Sequence, residues 1–251
     1  MASRRGGVTA PGCLDPANCP VLSPQEVDLR RLRLARVAAG AILHTSYLRS
    51  RWPTLFNASG RGDARFSPLG VAGGVVPTLY AAATQTVALL ESAFHEVHAS
   101  GARVISEPLD LARRGVVALT APEPLALIDL TDDALARLDV TRDQLVATTP
   151  QHYACTRQWS AALHGRRIGG VSAVGLVWHS RVAELARADS LLLADLLPFG
   201  SEACMLFGDR VATAPAAWLP GDPHYEDLST GEGRLLAEQI AEQLGAVIVT
   251  V

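Results

Sequence analysis

Lysine is absent: all 22 basic residues of the 251-residue chain are arginine. Schiff-base catalysis, a lysine-anchored pyridoxal phosphate and phosphate loops ending in Gly-Lys-Ser/Thr are therefore excluded. Arginine still allows bidentate recognition of a phosphate-bearing substrate. An excess of charge is missing too. Against 25 acidic residues the formal net charge is −3, so nothing general points to nucleic acid or to an anionic membrane. No apolar run reaches the roughly 18–20 residues of a membrane span. The start of the chain has no apolar stretch of the kind a secretory signal needs, and a cytoplasmic protein is expected.

Cysteine is scarce. The four, at positions 13, 19, 155 and 204, form no Cys-x-x-Cys pair. In a cytosolic protein they read as free thiols, small apolar residues rather than metal ligands or a disulfide, and no metal is expected. Familiar catalytic signatures are also lacking. There is no His-Glu-x-x-His and no Gly-x-Ser-x-Gly, and Gly60 and Gly62 lack the third glycine of a dinucleotide fingerprint. No internal repeat is visible.

What is present is enough for one substantial core: 49% of residues are hydrophobic and 19% charged. Residues 1–23, rich in Gly, Pro and Ala, read as a flexible tail ahead of a single domain over 24–251. Ser23-Pro24 predicts a helix start running to about residue 39, with Arg30, Arg31, Arg33 and Arg36 on a solvated face. Strands are expected near 41–47, 78–81, 116–120, 125–130, 174–178, 203–207 and 246–251, and helices near 84–99, 132–138, 151–164 and 231–244. The elements do not alternate as βαβα, so the class is α+β.

The helix expected at 84–99 carries one residue out of place. At about 100° per residue, Leu90, Phe94 and His98 fall within roughly 60° of Val87 and form an apolar stripe. Glu91 falls inside that stripe and Glu96 on the far side. A carboxylate aimed at a core or cleft is costly unless it is paired, hydrogen-bonded or used. Before this helix stand Arg65-Phe66-Ser67-Pro68, a glycine-rich stretch from Gly70 to Gly74 that lets backbone approach a ligand, and Thr78-Leu79-Tyr80-Ala81.

Arg65-Phe66-Ser67-Pro68, Leu79-Tyr80-Ala81, Ala88-Leu89-Leu90-Glu91 and Gly175-Leu176-Val177-Trp178-His179-Ser180-Arg181, in that order, resemble the signature of the RES domain family. The resemblance runs from about residue 42 to 211, and Arg65, Glu91 and Ser180 would be the residues that give the family its name. It implies an ADP-ribosyltransferase-like fold, with central split or mixed sheets flanked by helices in a single domain. It also implies the toxin of a toxin–antitoxin pair that degrades NAD⁺ by phosphorolysis or hydrolysis. NAD⁺ is then the substrate, inorganic phosphate a candidate co-substrate, and no prosthetic group is required. The alternatives are transfer of ADP-ribose to a protein and a silent partner-binding module. The implied partner is an Xre-like antitoxin, a homo-oligomer is allowed, and neither membrane nor direct nucleic-acid binding is expected.

The roles implied are Glu91 as the negative charge beside the ribose, Tyr80 as the nicotinamide platform and Arg65 as the pyrophosphate clamp. Ser180 would donate to a phosphate or to the ribose, and His44 would contact the ribose. Read alone, Tyr80 suits a strand core, Arg65 a structural ion pair and Ser180 a helix cap. One position departs from the family: Thr45 stands where the first core strand often carries an arginine.

Overall fold

The computed structural model describes residues 10–95, 97, 103–189, 200–213 and 215–250. In chain order the strands are β1 (Leu34–Val37), β2 (Ile42–Leu48), β3 (Leu69–Val71), β4 (Gly74–Val76), β5 (Thr78–Ala82), β6 (Val104–Ser106), β7 (Arg114–Thr120), β8 (Leu125–Asp129), β9 (Arg167–Ile168), β10 (Val171–Ser172), β11 (Gly175–His179), β12 (Glu202–Phe207), β13 (Leu219–Tyr225) and β14 (Val247–Val249). The helices are α1 (Gln85–Leu90), α2 (Asp132–Arg137), α3 (Tyr153–His164), α4 (Arg181–Asp189) and α5 (Gly231–Gln243).

Eight strands form one sheet in the order β1-β8-β11-β12-β5-β2-β7-β13. It is mixed, because β8 and β11 run parallel while the other neighbours are antiparallel. Successive strand side chains point to opposite faces, and the apolar strands feed two cores. From β12, Ala203, Met205 and Phe207 enter the core that also holds Val87 and Leu90 of α1, Trp159 of α3 and Ile240 of α5. Cys204 and Leu206 enter the opposite core with Leu43, Leu119, Leu127 and Trp218. The architecture is α+β, one domain with a mixed sheet flanked by helices. No helix among the described residues is long and apolar enough to cross a membrane.

The sheet has a seam. β2 and β5 are paired only at His44↔Ala82. Two residues further along, where Ser46 would face Tyr80, the ladder has stopped. A side chain spans the gap instead: the Thr45 hydroxyl donates to the Tyr80 carbonyl at 2.8 Å.

Three expectations need correction. No helix runs from Ser23 to residue 39. Ser23 caps only the 3₁₀ turn Pro24–Glu26, a second such turn covers Leu29–Arg31, and β1 follows, pairing with β8. Val27 and Leu32 are extended at the turn ends, and edge pairing with β8 outweighs the helix preference of Leu and Arg. Secondly, α1 ends at Leu90 rather than near residue 99. The Ser92 hydroxyl donates to the Ala88 carbonyl at 2.7 Å and the Phe94 N–H to the Leu89 carbonyl at 3.0 Å, diverting acceptors that the next turn needs. Glu96 and His98 lie outside the described residues. Thirdly, the terminal strand is shorter than the 246–251 expected: β14 covers Val247–Val249 and pairs in parallel with β6 in a separate two-stranded sheet.

Residues 10–22 lie against α3 and the turn before it. The Leu14 N–H donates to the Gln151 carbonyl at 3.0 Å, and the Trp159 indole N–H to the Leu22 carbonyl at 2.7 Å.

Candidate functional site

At the seam the sheet opens into a cavity of about 480 Å³ lined by Ser46, Arg65, Tyr80, Glu91, Arg114, Tyr153 and Trp178, among others. Each element contributes for a local reason. β5 and β11 deliver Tyr80 and Trp178 by strand alternation, with their rings edge to face at 6.0 Å. Phe66 packs on the same indole at 5.1 Å. The Tyr80 hydroxyl accepts from the Phe66 N–H at 3.2 Å, which fixes the ring beside Arg65. Burial pushes the Tyr80 phenol up to about 12, so it stays protonated at neutral pH.

Arg65 is buried. Its Nη1 donates to the Thr148 carbonyl at 2.8 Å and to the Thr148 hydroxyl at 2.7 Å. Its guanidinium carbon sits 5.1 Å from the centre of the Tyr153 ring. The Arg65 carbonyl is held by the Thr156 hydroxyl, one turn along α3 from Tyr153. None of these partners is a carboxylate, and among the described residues no salt bridge is made by Arg65.

Glu91 is the C-cap residue of α1, half-buried at the cavity wall. The Ser180 hydroxyl donates to Glu91 Oε1 at 2.5 Å and accepts the Ala183 N–H at 3.1 Å. Ser180 is fully buried behind Glu91 and does not line the cavity. It is thus both the cap of α4 and the hydrogen-bond donor to the carboxylate. His44 shares a β2 face with Ser46 but lies at the closed end of the seam, away from the cavity lining. Its Nδ1 is buried without a hydrogen-bond partner among the described residues, and desolvation holds the imidazole below its ordinary range and so neutral. Thr45 points to the opposite sheet face, almost wholly buried.

The structure therefore gathers Arg65, Tyr80 and Glu91 around one cavity, puts Ser180 one contact behind, and leaves His44 at its edge. Three lining residues were not singled out in the sequence. Tyr153 reads there as helix core packing. Ser46 and Arg114 become visible only when β2 is seen to border the seam with β7 paired to its other edge. The Ser46 hydroxyl and Arg114 Nε are buried without hydrogen-bond partners among the described residues. Desolvation lowers the Arg114 guanidinium from its usual range. Two arginines, Arg65 and Arg114, and three carboxylates line the half-open cavity; Asp63 is paired with Arg157 and Asp110 accepts the Ser106 N–H, while Glu91 is held by Ser180. With the aromatic walls, this suits a ligand carrying an anionic part, a planar part and a centre that becomes cationic in reaction.

Two groups of side chains among the described residues have metal-ligand proximity, and neither lines this cavity. One of them, Asp132, His179 and Glu184, is already bridged by Arg142, which pairs with Asp132 and with Glu184.

No curated protein matches the chain. Its fold is similar to that of a chain in the crystal structure of the M. tuberculosis MbcT-MbcA toxin-antitoxin complex, at 15% identity and a TM-score of 0.51, over 84% of this chain and 93% of that one. The likeness is one of fold, an α+β domain with a mixed sheet flanked by helices. The model of the RES domain matches residues 33–225, and this chain belongs to the RES domain family.

Proposed function

We propose that this chain breaks the nicotinamide–ribose bond of NAD⁺, as the toxin of a toxin–antitoxin pair. The observation that carries this reading is the pairing, in one cavity, of a buried Arg65 without a carboxylate partner among the described residues and a Glu91 carboxylate held in place by Ser180. A buried guanidinium with no anion of its own is suited to a pyrophosphate. Nicotinamide leaves with the electron pair of the glycosidic bond, which neutralises its ring, so no strong general acid is needed. Positive charge develops on the ribose, as in glycoside cleavage. Glu91 stabilises that charge, and Tyr80 and Trp178 wall the planar leaving group. Ser180 acts through Glu91 as a positioning residue. Arg114 supplies a second cation at the cavity wall.

Incubation of the purified chain with NAD⁺, with and without phosphate, tests the reading through nicotinamide release. Glu91→Gln is expected to slow release on the order of 10²–10³-fold. Arg65→Ala is expected to weaken NAD⁺ binding about 10–100-fold, the range for losing a hydrogen-bonded charged partner. A phosphate requirement selects phosphorolysis over hydrolysis. Absence of release in both conditions overturns NAD⁺ degradation, and label from NAD⁺ appearing on protein would assign ADP-ribose transfer instead.

The toxin reading is supported by membership of the RES family and by the fold shared with a chain of a toxin–antitoxin complex. An antitoxin that covers the cavity mouth is the expected partner. Co-expression of the neighbouring gene relieves growth arrest if this is correct, and persistence of arrest counts against it.

A further inference from the structure

Three of the four cysteines meet where residues 10–22 cross the start of α3. Cys19 Sγ lies 3.6 Å from Cys155 Sγ. The sulfurs of Cys13, Cys19 and Cys155 all fall within 4.8 Å of one another. On the flank of this triangle, His152 Nδ1 lies 3.6 Å from Cys13 Sγ. Cys155 and His152 are buried, and Cys13 and Cys19 half-buried. In sequence the four are scattered as two distant pairs. In space, His152 and Cys155 share one face of the first helical turn by their i, i+3 spacing, and the incoming strap brings the other two to them.

From these atoms we infer a zinc site with Cys13, Cys19 and Cys155 as thiolate ligands, against the expectation that the chain holds no metal; His152, beside Cys13 Sγ but outside the set of donors that lie within 4.8 Å of one another, is the nearest fourth ligand and must turn its ring to complete the tetrahedron. The distances carry the inference. A tetrahedral zinc with Zn–S near 2.3 Å has S–S edges of about 3.8 Å, and the Cys19–Cys155 separation of 3.6 Å already lies close to that edge. Thiolate donors in a tetrahedral arrangement select zinc over hard cations. With the His152 ring turned in, four protein ligands would leave no open position, and the site would be structural rather than catalytic. Binding converts three thiols to thiolates and releases three protons to solvent, so Zn²⁺ with three thiolates and a neutral imidazole carries a net −1.

The placement gives the site a purpose. Tyr153, between His152 and Cys155 in sequence, packs under the Arg65 guanidinium, and Thr156 holds the Arg65 carbonyl. A metal clip at 152 and 155 anchors the helix start on which Arg65 rests.

The full chain, purified under reducing conditions without chelator, should contain one zinc per chain. After metal removal, titration with Co²⁺ should give a tetrahedral thiolate–cobalt spectrum that saturates at one equivalent and is displaced by Zn²⁺. Cys155→Ser should abolish that spectrum, His152→Ala should weaken binding at least 10-fold, and Cys204→Ser, remote from the cluster, should leave it intact. Removal of the metal should lower the Tm of the wild-type chain. Two results on the wild-type chain overturn the proposal without depending on how any variant folds. One is no thiolate–cobalt spectrum with excess Co²⁺. The other is a mass two hydrogens short, with Cys19 and Cys155 found as a disulfide in the purified chain.

Discussion

The residue that bears most on the proposed chemistry is one the substrate would not touch. Glu91 sits at the carboxyl end of α1, where the helix dipole disfavours a negative charge by about 0.3–1 kcal/mol. The Ser180 hydroxyl, donating to that carboxylate, offsets this, since a hydrogen bond to a charged group contributes about 1.5–3 kcal/mol. Ser180→Ala should therefore lower kcat for NAD⁺ cleavage about 10-fold while leaving KM nearly unchanged, because Ser180 does not line the cavity. Steady-state kinetics beside a thermal melt separates this from loss of the α4 cap. A raised KM with an unchanged kcat would mean that the serine contacts substrate directly. Thr45 gives the opposite lesson. It departs from the family pattern, yet its hydroxyl spans the seam to the Tyr80 carbonyl from a nearly fully buried position. Thr45→Arg should not restore anything: a charge buried there without a partner should cost about 3 kcal/mol or more, read in denaturant unfolding, with no gain in nicotinamide release.

At the scale of elements, β11 and β12 approach so closely that a Cβ on Gly175 would stand 2.3 Å from the Met205 carbonyl oxygen. Gly175→Ala should destabilise the chain by about 1–3 kcal/mol, seen as a lower denaturation midpoint at unchanged slope, because Trp178 and Met205 on these strands cannot shift without moving the cavity wall. The same pair of strands shows what the sequence made legible. β5, β8, β11 and β12 are short, apolar and bounded by turn residues, and they lie within a residue or two of their expected positions. α2, α3 and α5 likewise fall where helical periodicity put them. β1 was hidden because its strand character comes from the partner edge of β8, where Leu34 pairs with Ile128, far away in sequence. The end of α1 was hidden because Ser92 competes for carbonyls that periodicity treats as satisfied. In the cavity, Arg65, Tyr80 and Glu91 were legible as an ordered signature. Ser46, Arg114 and Tyr153 were not, since they reach it from β2, β7 and α3, elements brought together by topology rather than by spacing.

For the whole molecule, two buried acids set the alkaline limit. Burial pushes the Cys204 thiol up to about 12 from its ordinary value near 9, and the Tyr80 phenol up to about 12 from 10. Both are neutral when protonated, so below these ordinary values the folded and unfolded chains hold the same protons and stability is unaffected. Above them the unfolded chain ionises while the folded one cannot, and stability falls by about 1.4 kcal/mol per pH unit per group until the folded pKa is reached. Other groups titrate in the same range, so the contribution of each residue is read as a difference. The stability of wild type minus that of Cys204→Ala, measured by urea unfolding, should stay constant to about pH 9 and then shrink toward pH 12. The corresponding difference for Tyr80→Phe should begin to shrink about one pH unit later, with a constant offset for the lost Phe66 contact. A difference that does not change with pH for either variant would mean that the group ionises as readily folded as unfolded. The Tyr80 hydroxyl at the cavity wall and the Cys204 core would then be open to hydroxide.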